Sequence, residues 1–183
     1  MPRRTITDIN ALDADAAVAL LGGVFEHSPW IVRDTWTQAP FASVEALHAA
    51  LCATVQAAGP ERQIALIQAH PDLVGRAGTL TKESTGEQRA AGLGPDDLTP
   101  EDIAAFTTYN AAYKARFGFP FVICARESRK ASILAGFETR LRNDPAAERA
   151  TALREIERIG WYRLVDLVDN DPAGATDRPG SEA

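Results

Sequence analysis

Two short stretches hold the side chains best suited to chemistry. Ala69-His70-Pro71-Asp72-Leu73 places a histidine at the end of a helical pattern, and Ser84-Thr85-Gly86-Glu87-Gln88 follows shortly after it. Histidine is the side chain whose ordinary pKa lies nearest physiological pH. Pro71 fixes its own backbone and biases His70 toward an extended conformation. An imidazole on a rigid helix end, with a carboxylate nearby in sequence, suggests acid–base chemistry. The competing reading makes His70 a helix-terminal cation favoured by the negative end of the dipole. Ser84 to Glu87 matches the S-x-x-E capping box, which predicts a helix opening at Ser84 with Glu87 in its first turn. A glutamate there stays ionised and is able to orient an imidazole or repel a bound carboxylate. Gln88 beside it offers both a donor and an acceptor. Arg163, in Gly160-Trp161-Tyr162-Arg163-Leu164, has aromatic and apolar neighbours. They predict a partly buried guanidinium that clamps a planar anion or imide, against the commoner reading of a solvated helix arginine.

Other chemistries lack their residues. The chain has no G-x-S-x-G, P-loop, G-x-G-x-x-G or H-E-x-x-H segment. His27, His48 and His70 are scattered and do not pair with Cys52 or Cys124, so no metal site is expected. The 19 basic and 25 acidic residues leave a net charge of −6, which argues against nucleic-acid and anionic-membrane partners. The two separated cysteines, each in an apolar run, read as buried reduced thiols. No apolar run is long enough to cross a bilayer, and no apolar signal core follows Met1-Pro2-Arg3-Arg4-Thr5. A cytoplasmic location is expected.

The elements that must position these groups are almost all helical. At 183 residues and 45% apolar content, the chain predicts one domain with a proper core. Helices are expected over Ala11 to Phe25, from Ser43 to the Gly59-Pro60 stop, and over Glu61 to Ala69. His27-Ser28-Pro29-Trp30 reads as a break and Leu73 to Glu83 as a loop. Another helix runs from Ser84 to about Gly92. Thr99-Pro100-Glu101-Asp102 starts the next, and Gly118 ends it. Phe119 to Cys124 reads as an isolated extended segment outside any sheet. Ser128 to Leu141 is helical, and a long last helix runs from Asn143-Asp144-Pro145 to about Asp169. The result is an all-α, single-domain bundle of about seven to eight helices over residues 5–169. The remainder, 170–183, reads as a disordered tail.

Several pieces, taken in order, resemble one family. They are Phe25-Glu26-His27-Ser28-Pro29-Trp30, His70-Pro71-Asp72-Leu73, Ser84 with Glu87-Gln88, Tyr113 through Arg116-Phe117-Gly118-Phe119-Pro120-Phe121, and Glu155 through Arg163-Leu164. Together they resemble the decarboxylases of 2-oxo-4-hydroxy-4-carboxy-5-ureidoimidazoline (OHCU). The resemblance implies an all-α fold, a homodimer, no cofactor, and conversion of OHCU to (S)-allantoin in uric acid breakdown. It carries the catalytic histidine onto His70, with Pro71 beside it. It carries further site residues onto Ser84, Glu87, Gln88 and Arg163, with the backbone of Phe119, Phe121 and Ile123 holding the ring amides. Glu87 is expected to fix the imidazole of His70. Arg76 and Lys82 receive no role. The rivals are a non-enzymatic helical binding or regulatory module, in which His70 and Glu87 serve only helix ends, and a hydrolase or isomerase of a neighbouring ureide.

Overall fold

The computed structural model describes residues 3–75 and 80–171. Among them the chain forms nine α-helices and one pair of two-residue strands. The order is β1 (Arg4–Thr5), α1 (Ile6–Asn10), α2 (Ala14–Leu21), α3 (Trp30–Thr35), α4 (Val44–Ala57), α5 (Pro60–Gln68), α6 (Lys82–Ala90), α7 (Pro100–Phe117), α8 (Lys130–Arg140), α9 (Pro145–Val165) and β2 (Val168–Asp169). The fold is all-α in character, with more helices than the sequence pattern suggests because two of them are very short.

The longer helices obey local rules. Ser43 accepts a hydrogen bond from the Ala46 amide and opens α4, whose Val44, Leu47, Leu51 and Val55 form one buried face. Thr99 and Asp102 make a reciprocal capping box for α7, with Pro100 in its first turn. Gly118 ends that helix at φ 77°, a conformation that costs a glycine little. Asp144 caps α9, which packs against α4 and α5 and buries Ile156, Gly160, Arg163 and Leu164.

Several expected boundaries move. The expected Ala11-to-Phe25 helix shortens to α2, because Asp13 caps a start at Ala14 and the helix stops at Gly22, while the separate α1 precedes it at Ile6–Asn10. His27-Ser28-Pro29-Trp30 is a helix entrance as well as a break, since α3 begins at Trp30. The helix expected at Ser84 begins at Lys82, and its cap is Thr81, whose hydroxyl accepts from the Ser84 amide. Ser84 to Glu87 is therefore not the capping box. The last helix ends at Val165 instead of Asp169, because Val168 and Asp169 pair in parallel with Arg4 and Thr5. Phe119 to Cys124 joins no sheet. Cys52 and Cys124 are free thiols, pushed up by burial to about 12 and about 11. Cys52 is only partly buried. The expected disordered tail beyond Asp171 lies outside the described residues.

One buried polar network holds the extended segment. Glu148 is fully buried and accepts from Arg140 Nε at 2.9 Å, from the Asn143 amide at 2.7 Å, and from the Tyr113 hydroxyl. Arg140 Nη1 donates to the Val122 carbonyl at 2.7 Å, and its guanidinium lies 4.3 Å from the Phe121 ring centroid. Phe121 in turn stacks on Phe137 at 3.9 Å. The Cys124 amide donates to Glu155 Oε2 at 2.8 Å, which anchors the far end. Arg140→Met should destabilise the protein by about 3–5 kcal/mol, because it strands the Glu148 charge, and the double variant Arg140→Met/Glu148→Met should recover most of that loss. Urea unfolding of the two variants checks this.

Candidate active site

The segment following α5, α6, the Phe119–Cys124 segment and the last turns of α9 meet around a cavity of about 30 Å³. That is far below the usual range for a small-molecule site and has room for about a water, so substrate entry requires the walls to part. His70, Pro71, Ser84, Glu87, Gln88 and Arg163 line it, facing Phe121 and Ile123. Leu73, Val122, Ala125 and Ile159, which the sequence reading did not single out, complete its apolar wall. Phe119 does not reach the cavity. It is buried against Phe117 and Tyr113, with ring centroids 5.9 and 6.2 Å away.

His70 follows the end of α5, and its Nδ1 lies 3.0 Å from the Leu66 carbonyl. A carbonyl only accepts, so Nδ1 carries the proton and donates it. In the neutral ring, Nε2 is then left with a lone pair. That atom is buried and has no hydrogen-bond partner among the described residues. Burial pushes the imidazole down to about 4, more than the Leu66 carbonyl and Glu26 raise it. His70 is therefore neutral at pH 7, with its basic nitrogen unused. The Leu66 carbonyl orients the ring, and Glu87 does not.

Both oxygens of Glu87 belong to Arg163, which donates Nε to Oε1 and Nη2 to Oε2 at 2.9 Å each. Nη1 of the same guanidinium donates to Glu26 Oε2 at 2.7 Å and to the Gly23 carbonyl at 3.4 Å. Nη2 also donates to Ser84 Oγ at 3.1 Å, and the Ser84 hydroxyl in turn donates to Glu26 Oε2 at 3.1 Å. All five guanidinium donors are thus engaged by the protein. Arg163 is buried as expected, but here it clamps two carboxylates and offers no free fork. Burial works against its charge, and Glu87 and Glu26 outweigh burial, so its pKa is raised. For Glu26 burial pushes upward, and Arg163 more than offsets it, so the carboxyl is lowered. The Gln88 carboxamide is also occupied, accepting from the Val74 amide at 3.0 Å and donating to the Asp72 carbonyl at 3.4 Å. It holds the loop behind His70.

Glu26 has no role in the sequence reading beyond its place in the Phe25-to-Trp30 segment. It is only 2% exposed, and its Oε1 has no hydrogen-bond partner among the described residues. A signal was present: a glutamate directly after a core phenylalanine, in a segment too short to carry it out to solvent. Gly160 on α9 allows the close approach that brings Phe25 and Glu26 in. A Cβ there would lie 3.1 Å from the Phe25 ring.

Comparison with known proteins identifies the family. A family model described as OHCU decarboxylase matches residues 10–165. The 2-oxo-4-hydroxy-4-carboxy-5-ureidoimidazoline decarboxylase of Halalkalicoccus jeotgali is 38% identical over 91% of this chain and 93% of its own. That of Amia calva is 40% identical over 87% of this chain and 92% of its own. A crystal structure of (S)-allantoin synthase superposes with a TM-score of 0.74 at 26% identity, covering 91% of this chain and 54% of that longer one. The chain belongs to the OHCU decarboxylase family.

The depressed histidine has a consequence for folding. Between its ordinary 6.5 and about 4, an unfolded chain takes up a proton at His70 that the native state refuses. Stability should fall as pH is lowered through that window. A His70→Leu variant should lose that part of the slope, measured as urea midpoints at a series of pH values.

Proposed function

We propose that this protein is a carboxy-lyase that decarboxylates OHCU to (S)-allantoin in uric acid degradation, without a cofactor. Family membership supports the reaction. The observation that carries the site is the buried, neutral His70, which lines a small cavity and whose Nε2 has no partner among the described residues.

The substrate's name places a hydroxyl and a carboxylate on one ring carbon, next to the carbon bearing the ureido group. When the bond to the carboxylate breaks, its electron pair forms a C=C bond to that neighbour. The neighbour's C=N electrons move onto nitrogen, so the ring is its own electron sink. The hydroxyl proton then leaves, the carbonyl forms, and a proton adds to the ureido-bearing carbon. The product needs two new protons, on nitrogen and on carbon. The hydroxyl supplies one of them, so each turnover releases one CO2 and takes up one proton.

In this reading His70 Nε2 accepts the hydroxyl proton as general base and delivers it to one face of the ring. Pro71 and the Leu66 carbonyl hold the imidazole still. Phe121 and Ile123 enclose the ring. In this reading main-chain amides of the extended segment contact its carbonyls, with Phe119 packing beneath them. Arg163 fixes Glu87, Glu26 and Ser84 as one unit, so that the polar wall is preorganised before substrate arrives. Glu87 and Gln88 face the ureido side. We further propose that the protein acts as a homodimer in the cytoplasm, where its two free thiols stay reduced.

Incubation with freshly generated OHCU should release CO2 and produce the circular-dichroism signal of (S)-allantoin faster than spontaneous decay. An unchanged rate would instead favour a binding module. His70→Ala should still bind allantoin but lose about 10²- to 10⁴-fold in turnover. Because the base must be neutral, kcat/KM should stay level from pH 8 to about 5 and fall only as pH approaches the His70 value of about 4.

A further inference from the structure

The cavity that holds the substrate leaves one requirement unmet. Each turnover takes up a proton from solvent, yet His70 is 7% exposed and its Nδ1 is tied to a main-chain carbonyl. Pro71 and His70 also line a second cleft, together with Glu26 and His27. His70 is thus shared by the two spaces.

We propose that His27 and Glu26 form a proton relay that carries a proton from solvent to His70. The inference rests on the decarboxylase reading, and three observations place the parts. His27 is the outer station: its side chain is 69% exposed, and its Nε2 lies 3.9 Å from Glu26 Oε1. Glu26 is the inner station, with Oε2 locked by Arg163 and Ser84 while Oε1 is buried and unpartnered. His70 Nε2 is the terminus, likewise buried and unpartnered. Two unpartnered buried polar atoms bordering one cleft are unusual, since nearly all such atoms in folded proteins are paired. The backbone of His27 adds a further sign. It sits at φ 46°, where a glycine would be unstrained and a histidine is not. Strained residues of this kind gather at functional sites.

The balance of the step is simple. A His27 imidazolium gives its Nε2 proton to Glu26 Oε1, and the carboxyl passes it to His70 Nε2. His70 has by then handed the hydroxyl proton to the substrate, and it delivers the second proton in the same way. No bond other than N–H and O–H changes along the relay. The charged groups around it are fixed by the fold. Arg163 faces Glu26 and His70 from α9, Glu87 and Glu83 border from α6, and Asp72 is paired with Lys114 at 2.6 Å across the second cleft.

His27→Gly removes the imidazole, relieves the positive φ and leaves room for a small molecule. His27→Asn keeps a polar side chain that tolerates the same backbone. Both should fold with unchanged thermal midpoints and bind allantoin as the wild type does. With OHCU as substrate, both should lose about tenfold in kcat at pH 8, where protons are scarce, and less at pH 6. Added imidazole should restore kcat for His27→Gly. Wild-type kcat in both variants at every pH would overturn the relay, and so would a loss that is independent of pH or that imidazole does not repair. Failure of the wild-type protein to release CO2 from OHCU would instead sink the decarboxylase reading itself.

Discussion

One guanidinium organises this molecule. From its place near the end of α9, Arg163 donates all five of its hydrogen bonds to two separated parts of the chain, the Gly23–Glu26 turn and α6. Two carboxylates and a hydroxyl are thereby buried together. Burying two carboxylates without that positive charge would be costly, and the charge would not be tolerated there without them. A fork geometry suits this task, because the bidentate contact to Glu87 leaves the outer nitrogens free for Glu26 and Ser84. Lysine, with one nitrogen, offers no equivalent.

The opposite wall is built by a second buried ion pair of similar logic. Arg140 reaches from α8 to the Val122 carbonyl, and Glu148 on α9 fixes Arg140. The extended segment has no sheet to hold it, so a side chain supplies the partner that a neighbouring strand would otherwise give. α9 therefore serves both walls, through Glu148 near its start and Arg163 near its end. Its apolar residues dock it on α4 and α5, and that docking sets the width of the cavity between the walls.

The sequence is readable where a rule is local. Ser43, Thr99 with Asp102, Pro100 and Gly118 each announce an end of a helix within a few residues, and the structure agrees with all of them. The rule misleads at Ser84, whose S-x-x-E spacing is genuine but whose side chain is wanted by Glu26 and Arg163. Thr81 caps the helix in its place. Tertiary demand overrides a local motif there. Arg163 was legible as buried, from its neighbours, but its partners are 76 and 137 residues away in sequence and could not be inferred from spacing. Glu26 was hidden for the same reason. The short α1 and α3 escape a periodicity argument because five or six residues give too few turns to show a face.

The parallel pairing of Arg4 and Thr5 with Val168 and Asp169 closes the chain on itself. Parallel neighbours cannot be joined by a tight turn, so almost the entire domain serves as the crossover between two dipeptides. The backbone between them is nearly a loop, with the two dipeptides side by side, far in sequence from the Arg140–Glu148 pair and five residues beyond Arg163. Such topology suits circular permutation, and it lets the fold be spliced into another polypeptide at that seam without stretching either wall of the cavity.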